Sequence, residues 1–192
     1  NPFRLRARDV LIDLVTDSGV SAMSVDQLRA MVGADESFTG SESALRFEEA
    51  ARELFGHPHV IPCHQGRAAE SLLARAVLRP GHTVLSNTLF ATTRANFEAA
   101  GATCRDLPVP RAADPRDPHP FKGDIDLEAL ERELRAAGPA GVPFVVLTVT
   151  DNSRGGQPVS LATMEEASRL CRAHGAALLL DGARLAENAF LL

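Results

Sequence analysis

Apolar positions along the chain follow two different periods, and their alternation sets the expected fold. Residues 42–55 carry Ala44, Leu45, Phe47, Ala51, Leu54 and Phe55 at helical spacing. That pattern predicts an amphipathic helix ended by Gly56, with its aromatic positions in a core. The same spacing predicts helices over Met23–Val32, capped by Ser24, over 68–78, over Phe90–Ala100 and over Asp126–Ala137. A further helix of about 14 residues starts at Ser160 and closes at Gly175 by the capping rules. Residues 143–150 and 176–180 are instead largely apolar runs, which predict strands buried on both faces of a parallel sheet, and Thr83-Val84-Leu85-Ser86-Asn87 reads as another strand. Val60–Cys63 is expected to be a short strand passing through His64-Gln65-Gly66-Arg67 into the next helix, and residues 9–15 a short apolar element. Five prolines between 108 and 124 mark a surface loop. Strand and helix alternate through most of the chain, which makes it an α/β layered domain.

Composition narrows the function classes. The net charge is −5 and the isoelectric point near 5.7, against the basic balance of a nucleic-acid binder. No run of about 18 apolar residues predicts a membrane span, and the first residues carry no signal-peptide core, so a cytoplasmic enzyme is expected. Cys63, Cys104 and Cys171 are odd in number and widely spaced, a pattern of thiols rather than a disulfide framework or zinc motif. Lys122 is the single lysine among twenty basic residues. The last residues, Ala189-Phe190-Leu191-Leu192, run out inside an apolar pattern without a C-cap, and the chain reads as a piece of a longer protein. Its expected organisation is an N-terminal segment, 1–15, leading into the N-terminal part of a larger domain, 16–192.

Candidate chemistry gathers at strand ends and helix starts. The strand at 176–180 ends on Asp181, with Arg184 three residues on. In open α/β sheets ligands bind outside the carboxyl ends of strands, so Asp181 can meet a cationic ligand group; it can equally cap the helix that follows. Gln65-Gly66-Arg67 opens a helix, where free amides and the helix dipole suit an anion and Arg67 adds a charge; the alternative is an ordinary turn. The Gly-x-Gly-x-x-Gly and Walker patterns are missing, which disfavours a dinucleotide or P-loop site. Phe90, just past a strand end, is either a core anchor or a stacking face for a planar cofactor. Asn152 follows the strand at 143–150. A phosphate cradle, a ring, an Asn donor and an Asp partner together are the groups pyridoxal phosphate requires.

These residues also carry a resemblance. Thr16-Asp17-Ser18-Gly19, Ala22-Met23-Ser24, His64-Gln65-Gly66-Arg67-Ala68-Ala69-Glu70, Thr92-Thr93-Arg94-Ala95, Phe121-Lys122-Gly123, Thr148-Val149-Thr150 with Asn152-Ser153, Gly155-Gly156-Gln157-Pro158-Val159-Ser160 and Ala186-Glu187-Asn188-Ala189 are similar to blocks of the tyrosine phenol-lyase and tryptophanase family. The resemblance implies a pyridoxal-phosphate-dependent β-eliminating lyase that cleaves a C–C or C–S bond of an amino acid to give pyruvate and ammonia. It implies the large domain of the aspartate aminotransferase fold (fold type I), incomplete at its C-terminus. By resemblance Gln65, Gly66 and Arg67 hold the phosphate, Phe90 stacks on the pyridine and Asp181 pairs with its nitrogen. Asn152 and Arg184 face the phenolic oxygen and the substrate carboxylate, while Thr16, Ser18 and Phe38 line the substrate pocket. Gly19 and Glu36 match two ligands of a monovalent cation, potassium. The family implies a homo-oligomer, dimer or tetramer, with sites shared between subunits, and a Schiff-base lysine beyond residue 192 rather than Lys122.

Two departures bear on substrate. Phe38 stands where the family has a tyrosine that protonates the leaving ring, and Ala91 replaces a hydroxyl residue beside the stacking ring. A phenyl ring cannot act as a general acid, which points to a leaving group such as a thiol. The spelling Asp181-Gly182-Ala183-Arg184 is closer to threonine aldolases, which makes a retro-aldol enzyme the alternative. A non-catalytic fragment of the fold is the third reading.

Overall fold

A computed structural model describes residues 4–10, 23–35, 39–138 and 140–192. The chain divides into two compact units, residues 1–62 and 63–192. The division expected at residue 15 falls outside the described residues, as does most of the apolar element at 9–15.

The first unit contains α1 (Val25–Val32) and α2 (Glu42–Phe55). α1 starts as its sequence predicts: Ser24 and Gln27 form a capping box, each side chain accepting from the other's amide, at 3.1 and 2.7 Å. α2 ends at Gly56 in the left-handed region, φ 68°. Its start is held from a distance by Asp35, whose carboxylate accepts from the amides of Glu42 and Ser43 at 3.0 and 2.8 Å. Those bonds and the Ser41 and Ser43 hydroxyls hold the Asp35 pKa down at about 2. The aromatic positions of α2 are not core: Phe47 and Phe55 are about half exposed, and neither helix buries a residue fully. Helical periodicity fixes which face is apolar, and the described residues supply no layer to cover it.

The second unit is a three-layer α/β structure. Its helices are α3 (Gly66–Val77), α4 (Ala91–Ala99), α5 (Leu127–Ala137), α6 (Leu161–Ala173) and α7 (Leu185–Leu191). Its strands are β1 (Thr83–Ser86), β2 (Thr103–Asp106), β3 (Phe144–Thr148) and β4 (Ala177–Asp181), all parallel, in the order β2-β1-β3-β4. Successive strand residues point to opposite faces. Val84, Phe144 and Val146 join Ala74, Leu78 and Phe97 in one core, with Phe97 edge-on to Phe144 at 5.4 Å. Leu85, Val145 and Leu147 join Leu130, Leu134, Val159, Leu170 and Cys171 in the other. Each face of the sheet is thus covered by helices, which is why β3 has no polar alternation.

Two further expectations are corrected. β4 is the edge of the sheet among the described residues, so its apolar run is only half covered and Leu180 is 47% exposed. An apolar run reports what a strand can bury, not what lies beside it. Val60–Cys63 pairs with no strand among the described residues, and α3 is entered from an irregular segment. The proline-rich segment is the expected surface loop, exposed over most of 110–120, and it is anchored at its end. Lys122 is buried, its Nζ donating to the carbonyls of Asp114 and Pro115 at 3.3 Å each, and Pro108 bridges to Ile125.

Family-like blocks turn out to anchor this unit. A Cβ at Gly123 would lie 2.4 Å from the Gln157 carbonyl oxygen and 2.7 Å from that of Pro158, while the Gly123 amide donates to Pro158 at 3.1 Å. Asp124 accepts from the amide and hydroxyl of Ser160, at 2.7 and 2.9 Å, and from the Thr163 hydroxyl at 2.8 Å. Asn188, buried in α7, pairs both ways with the Val159 backbone, at 2.8 and 3.0 Å. Gly123→Ala is therefore expected to destabilise the full-length protein by about 1–3 kcal/mol, the usual range for overpacking. Gly66→Ala, where a Cβ meets nothing within 4 Å, is expected to stay within about 0.5 kcal/mol. Equal denaturation midpoints for Gly123→Ala and wild type would contradict this packing.

Candidate active site at the switch between β1 and β3

The strand order places a switch point between β1 and β3: from β1 the chain moves outward to β2, and from β3 outward the other way to β4. Open α/β sheets bind ligands in the crevice outside the strand ends at such a point. The loops leaving β1 and β3 there carry Phe90 and Asn152.

Asn87 joins the two strand ends. Fully buried, it donates through Nδ2 to the carbonyls of Thr148 and Gly123, at 3.0 and 2.8 Å, and accepts from the Thr148 amide at 2.9 Å. Next to it the Thr148 hydroxyl donates to the Thr88 carbonyl at 3.0 Å, and the Ser153 hydroxyl to that of Leu89 at 3.4 Å. The Leu89 amide donates to Asp106 at 3.1 Å, and Arg94 binds the other oxygen of Asp106 at 2.7 Å. The segment that presents Phe90 is thus held from β2, β3 and α4. Phe90 itself is the N-cap of α4 and is 38% exposed, so one part of its ring is open.

Asp181 ends β4 opposite Thr148 in the register. The turn that follows is clamped to β3's continuation: the Val149 amide donates to the Asp181 carbonyl at 2.9 Å, and the Arg184 amide to the Val149 carbonyl at 3.3 Å. The Asp181 carboxylate accepts from the Ala183 amide at 3.3 Å, while Arg184 is the N-cap of α7. Burial pushes the Asp181 pKa up and the Glu70 charge adds to this; the Ala183 amide and Arg184 oppose them. A cationic ligand group would relieve that burial cost.

Gln65 is the extended N-cap of α3, without a side-chain cap bond. The amides of Gly66 and Arg67, first in the helix, have no acceptor within it, and the space at Gly66 is open. Those are the properties of an anion cradle. Asn96 of α4 donates to the Arg67 carbonyl at 3.3 Å, which ties the cradle to the helix that begins at Phe90.

Gln65, Gly66, Arg67, Phe90, Asn152, Asp181 and Arg184 therefore all belong to the second unit, the last four at the carboxyl edge of its sheet. Thr16, Ser18, Gly19, Glu36 and Phe38 lie outside the described residues. Among the described residues no cluster of three metal-ligating side chains occurs, and no helix is long and apolar enough to cross a membrane. Sequence reading missed Asn87, Thr88, Glu70 and Asp151. A polar run, Ser86-Asn87-Thr88, at the end of a buried strand was the signal for the first two.

Asp151 is the most unusual of these. It is fully buried, and neither carboxylate oxygen has a partner at hydrogen-bonding geometry; the Thr150 hydroxyl is likewise unpaired. Its backbone closes the loop that carries Asn152, with the Asp151 amide donating to Gln157 and the Gly156 amide returning to Asp151, both at 2.9 Å. Burial raises its pKa from 3.8 to about 6, opposed by the Thr88 hydroxyl, the amides of Arg154 and Ser153 and the Arg154 charge.

The sequence model of the beta-eliminating lyase family matches residues 13–192. The chain belongs to that family. Curated relatives of the chain include tryptophanases of Hyphomonas neptunium, 50% identical, and Salinibacter ruber, 52% identical. A tyrosine phenol-lyase of Symbiobacterium thermophilum is 42% identical. Each alignment covers the whole of this chain but only 41–42% of the relative, so the chain spans about two fifths of their length. Solved structures with the same fold include an aspartate aminotransferase from Thermus thermophilus with maleate. It is 20% identical at a TM-score of 0.54, covering 81% of this chain and 39% of that one. A complex of SepCysS with an N-terminal domain of SepCysE matches at a TM-score of 0.58 and 16% identity, over 80% and 39%. The expected aspartate aminotransferase fold is thus borne out.

Because Asp151 holds its proton in the folded state up to about pH 6 and in the unfolded state only to about 4, the folded protein carries the extra proton between them. The stability this contributes is complete below about pH 4 and is lost as pH rises through 6. Asp151→Asn should therefore stabilise the full-length protein above pH 6 by on the order of 2 kcal/mol and leave it unchanged near pH 4. Denaturant titrations of both proteins across pH 4–8 check this; parallel curves would contradict it.

Proposed function

We propose that the full-length protein is a pyridoxal-phosphate-dependent β-eliminating lyase acting on an amino acid. The reading is supported best by four features of the second unit: an open helix start at Gln65–Arg67, and, at the carboxyl edge of the sheet, a partly exposed Phe90 ring, the loop with Asn152 and a half-buried Asp181 whose pKa is raised. The match over residues 13–192 to the family outweighs the Asp-Gly-Ala-Arg spelling that favoured a retro-aldol enzyme.

In this reading the Gly66 and Arg67 amides and the Arg67 guanidinium hold the phosphate, with Gln65 beside them. Phe90 offers its ring face to the pyridine, and Asn152 donates to the phenolic oxygen. Asp181, as an anion, keeps a proton on the ring nitrogen. Arg184 orients the phenolic oxygen and the substrate carboxylate. The cofactor supplies an electron sink for the charge that develops as the substrate's α proton leaves. Thr16, Ser18 and Phe38 form the substrate wall, and Gly19 and Glu36 contribute to a potassium site. The proposal includes a cytoplasmic homo-oligomer with sites shared between subunits, and a cofactor-anchoring lysine other than Lys122, whose amine is already committed to two carbonyls.

The wild-type full-length protein is expected to develop a visible absorbance band with added pyridoxal 5′-phosphate and to exchange a substrate α proton with solvent. Asp181→Ala should slow that exchange by orders of magnitude, since the electron sink depends on the ring charge. No band in the wild type, or equal exchange in the variant, defeats the proposal.

Phe38 gives a second expectation. Carbon leaving groups must be protonated before the bond breaks, and such acid assistance is typically worth about 100- to 10,000-fold. The enzyme should therefore cleave S-alkyl cysteine far better than tyrosine or tryptophan by kcat/KM, and Phe38→Tyr should narrow the gap. Ready cleavage of tyrosine or tryptophan by the wild type, unchanged in Phe38→Tyr, would mean that another acid, such as His64, serves.

A further inference from the structure

Glu70 lies in the second turn of α3, half-buried, and both of its carboxylate oxygens are held from α4. The hydroxyl of Thr93, itself buried, donates to Oε1 at 2.7 Å, and Asn96 Nδ2 donates to Oε2 at 3.0 Å. The same Asn96 amide reaches the Arg67 carbonyl at 3.3 Å. Three bonds thus cross from Thr93 and Asn96 of α4 to the first two turns of α3, the one helix beginning after Phe90 and the other carrying the cradle at Gln65–Arg67. Further along, the pair packs through Ala74, Leu78 and Phe97, and apolar packing of that kind tolerates a small slide of one helix along the other. Directional bonds do not.

The geometry points to Glu70 as a positioning residue of the cofactor site, which fixes the offset between the anion cradle of α3 and the Phe90 ring at the start of α4. This rests on the function proposed above and adds a role for a side chain that touches neither phosphate nor ring. Two observations support it. Both bonding partners are neutral, so Glu70 acts here through directional acceptor geometry and not through an ion pair with α4. Its charge is also felt at Asp181, where it helps raise the carboxyl pKa, which places this brace beside the mouth of the site and not at the far end of the helix pair.

The test uses the full-length protein freed of cofactor. Pyridoxal 5′-phosphate affinity is measured by absorbance titration, and amide hydrogen exchange is followed at residues 66–70 without cofactor. Glu70→Ala and Thr93→Val are each expected to weaken binding by about tenfold, the worth of one or two charge-assisted hydrogen bonds. The double variant should be little worse than either single one, because residues in one network do not add. Exchange at 66–70 should speed up in parallel, and Glu70→Gln, which keeps an acceptor for Thr93, should recover most of both effects. Should Glu70→Ala fail to fold, Thr93→Val and Glu70→Gln carry the same comparison. Wild-type affinity in Thr93→Val and Glu70→Ala, or losses that simply add, would overturn the assignment while leaving the lyase proposal intact. A wild type that does not bind pyridoxal 5′-phosphate would overturn both.

Discussion

One buried amide holds the functional edge of this chain together. Asn87 sits where β1 ends, at the point where the chain changes direction across the sheet, and makes three bonds to β3 and the segment before α5. In the interior such a group cannot exchange its partners for water, and leaving any of them unpaired costs about 1–3 kcal/mol. Strand pairing between β1 and β3 covers only two residue pairs, Leu85 with Val145 and Ser86 with Val146. Beyond that short ladder it is side chains, Asn87 first and then Thr148 and Ser153, that keep the two loops in register. Phe90 and Asn152 inherit their positions from that clamp.

The motif blocks that identify the family divide into two physical kinds. Gln65-Gly66-Arg67 opens α3, where the proposed function has it bind the phosphate. Phe121-Lys122-Gly123, Gly155–Ser160 and Ala186–Ala189 face one another instead: Gly123 admits the Gln157–Pro158 backbone, and Asn188 pairs with Val159. Their service is to hold the loop that carries Asn152. Asp151 shows the cost of that construction, a carboxyl buried without a hydrogen-bond partner inside a loop closed by its own backbone.

Much of the fold was legible because local rules act on adjacent residues. Ser24, Asp126 and Ser160 cap the helices they precede, as short polar side chains before an apolar period should. β3 was legible because both of its faces are covered. β4 has the same apolar pattern and is half bare, and the ring positions of α2 are exposed, because coverage depends on partners that periodicity does not encode. In the candidate site, Asp181 and Gly66 stood out through their places at element ends. Asn87, Glu70 and Asp151 did not, since their roles come from bonds across 23 to 61 positions of sequence or from burial alone.

The central claim is that the crevice between the β1 and β3 loops is where the cofactor sits, and a crystal structure of the full-length protein with pyridoxal 5′-phosphate tests it most directly. The account predicts phosphate oxygens within hydrogen-bonding distance of the Gly66 and Arg67 amides, the pyridine face on Phe90 and its nitrogen against the Asp181 carboxylate. A cofactor bound elsewhere, or one in this crevice with its nitrogen turned away from Asp181, would contradict it.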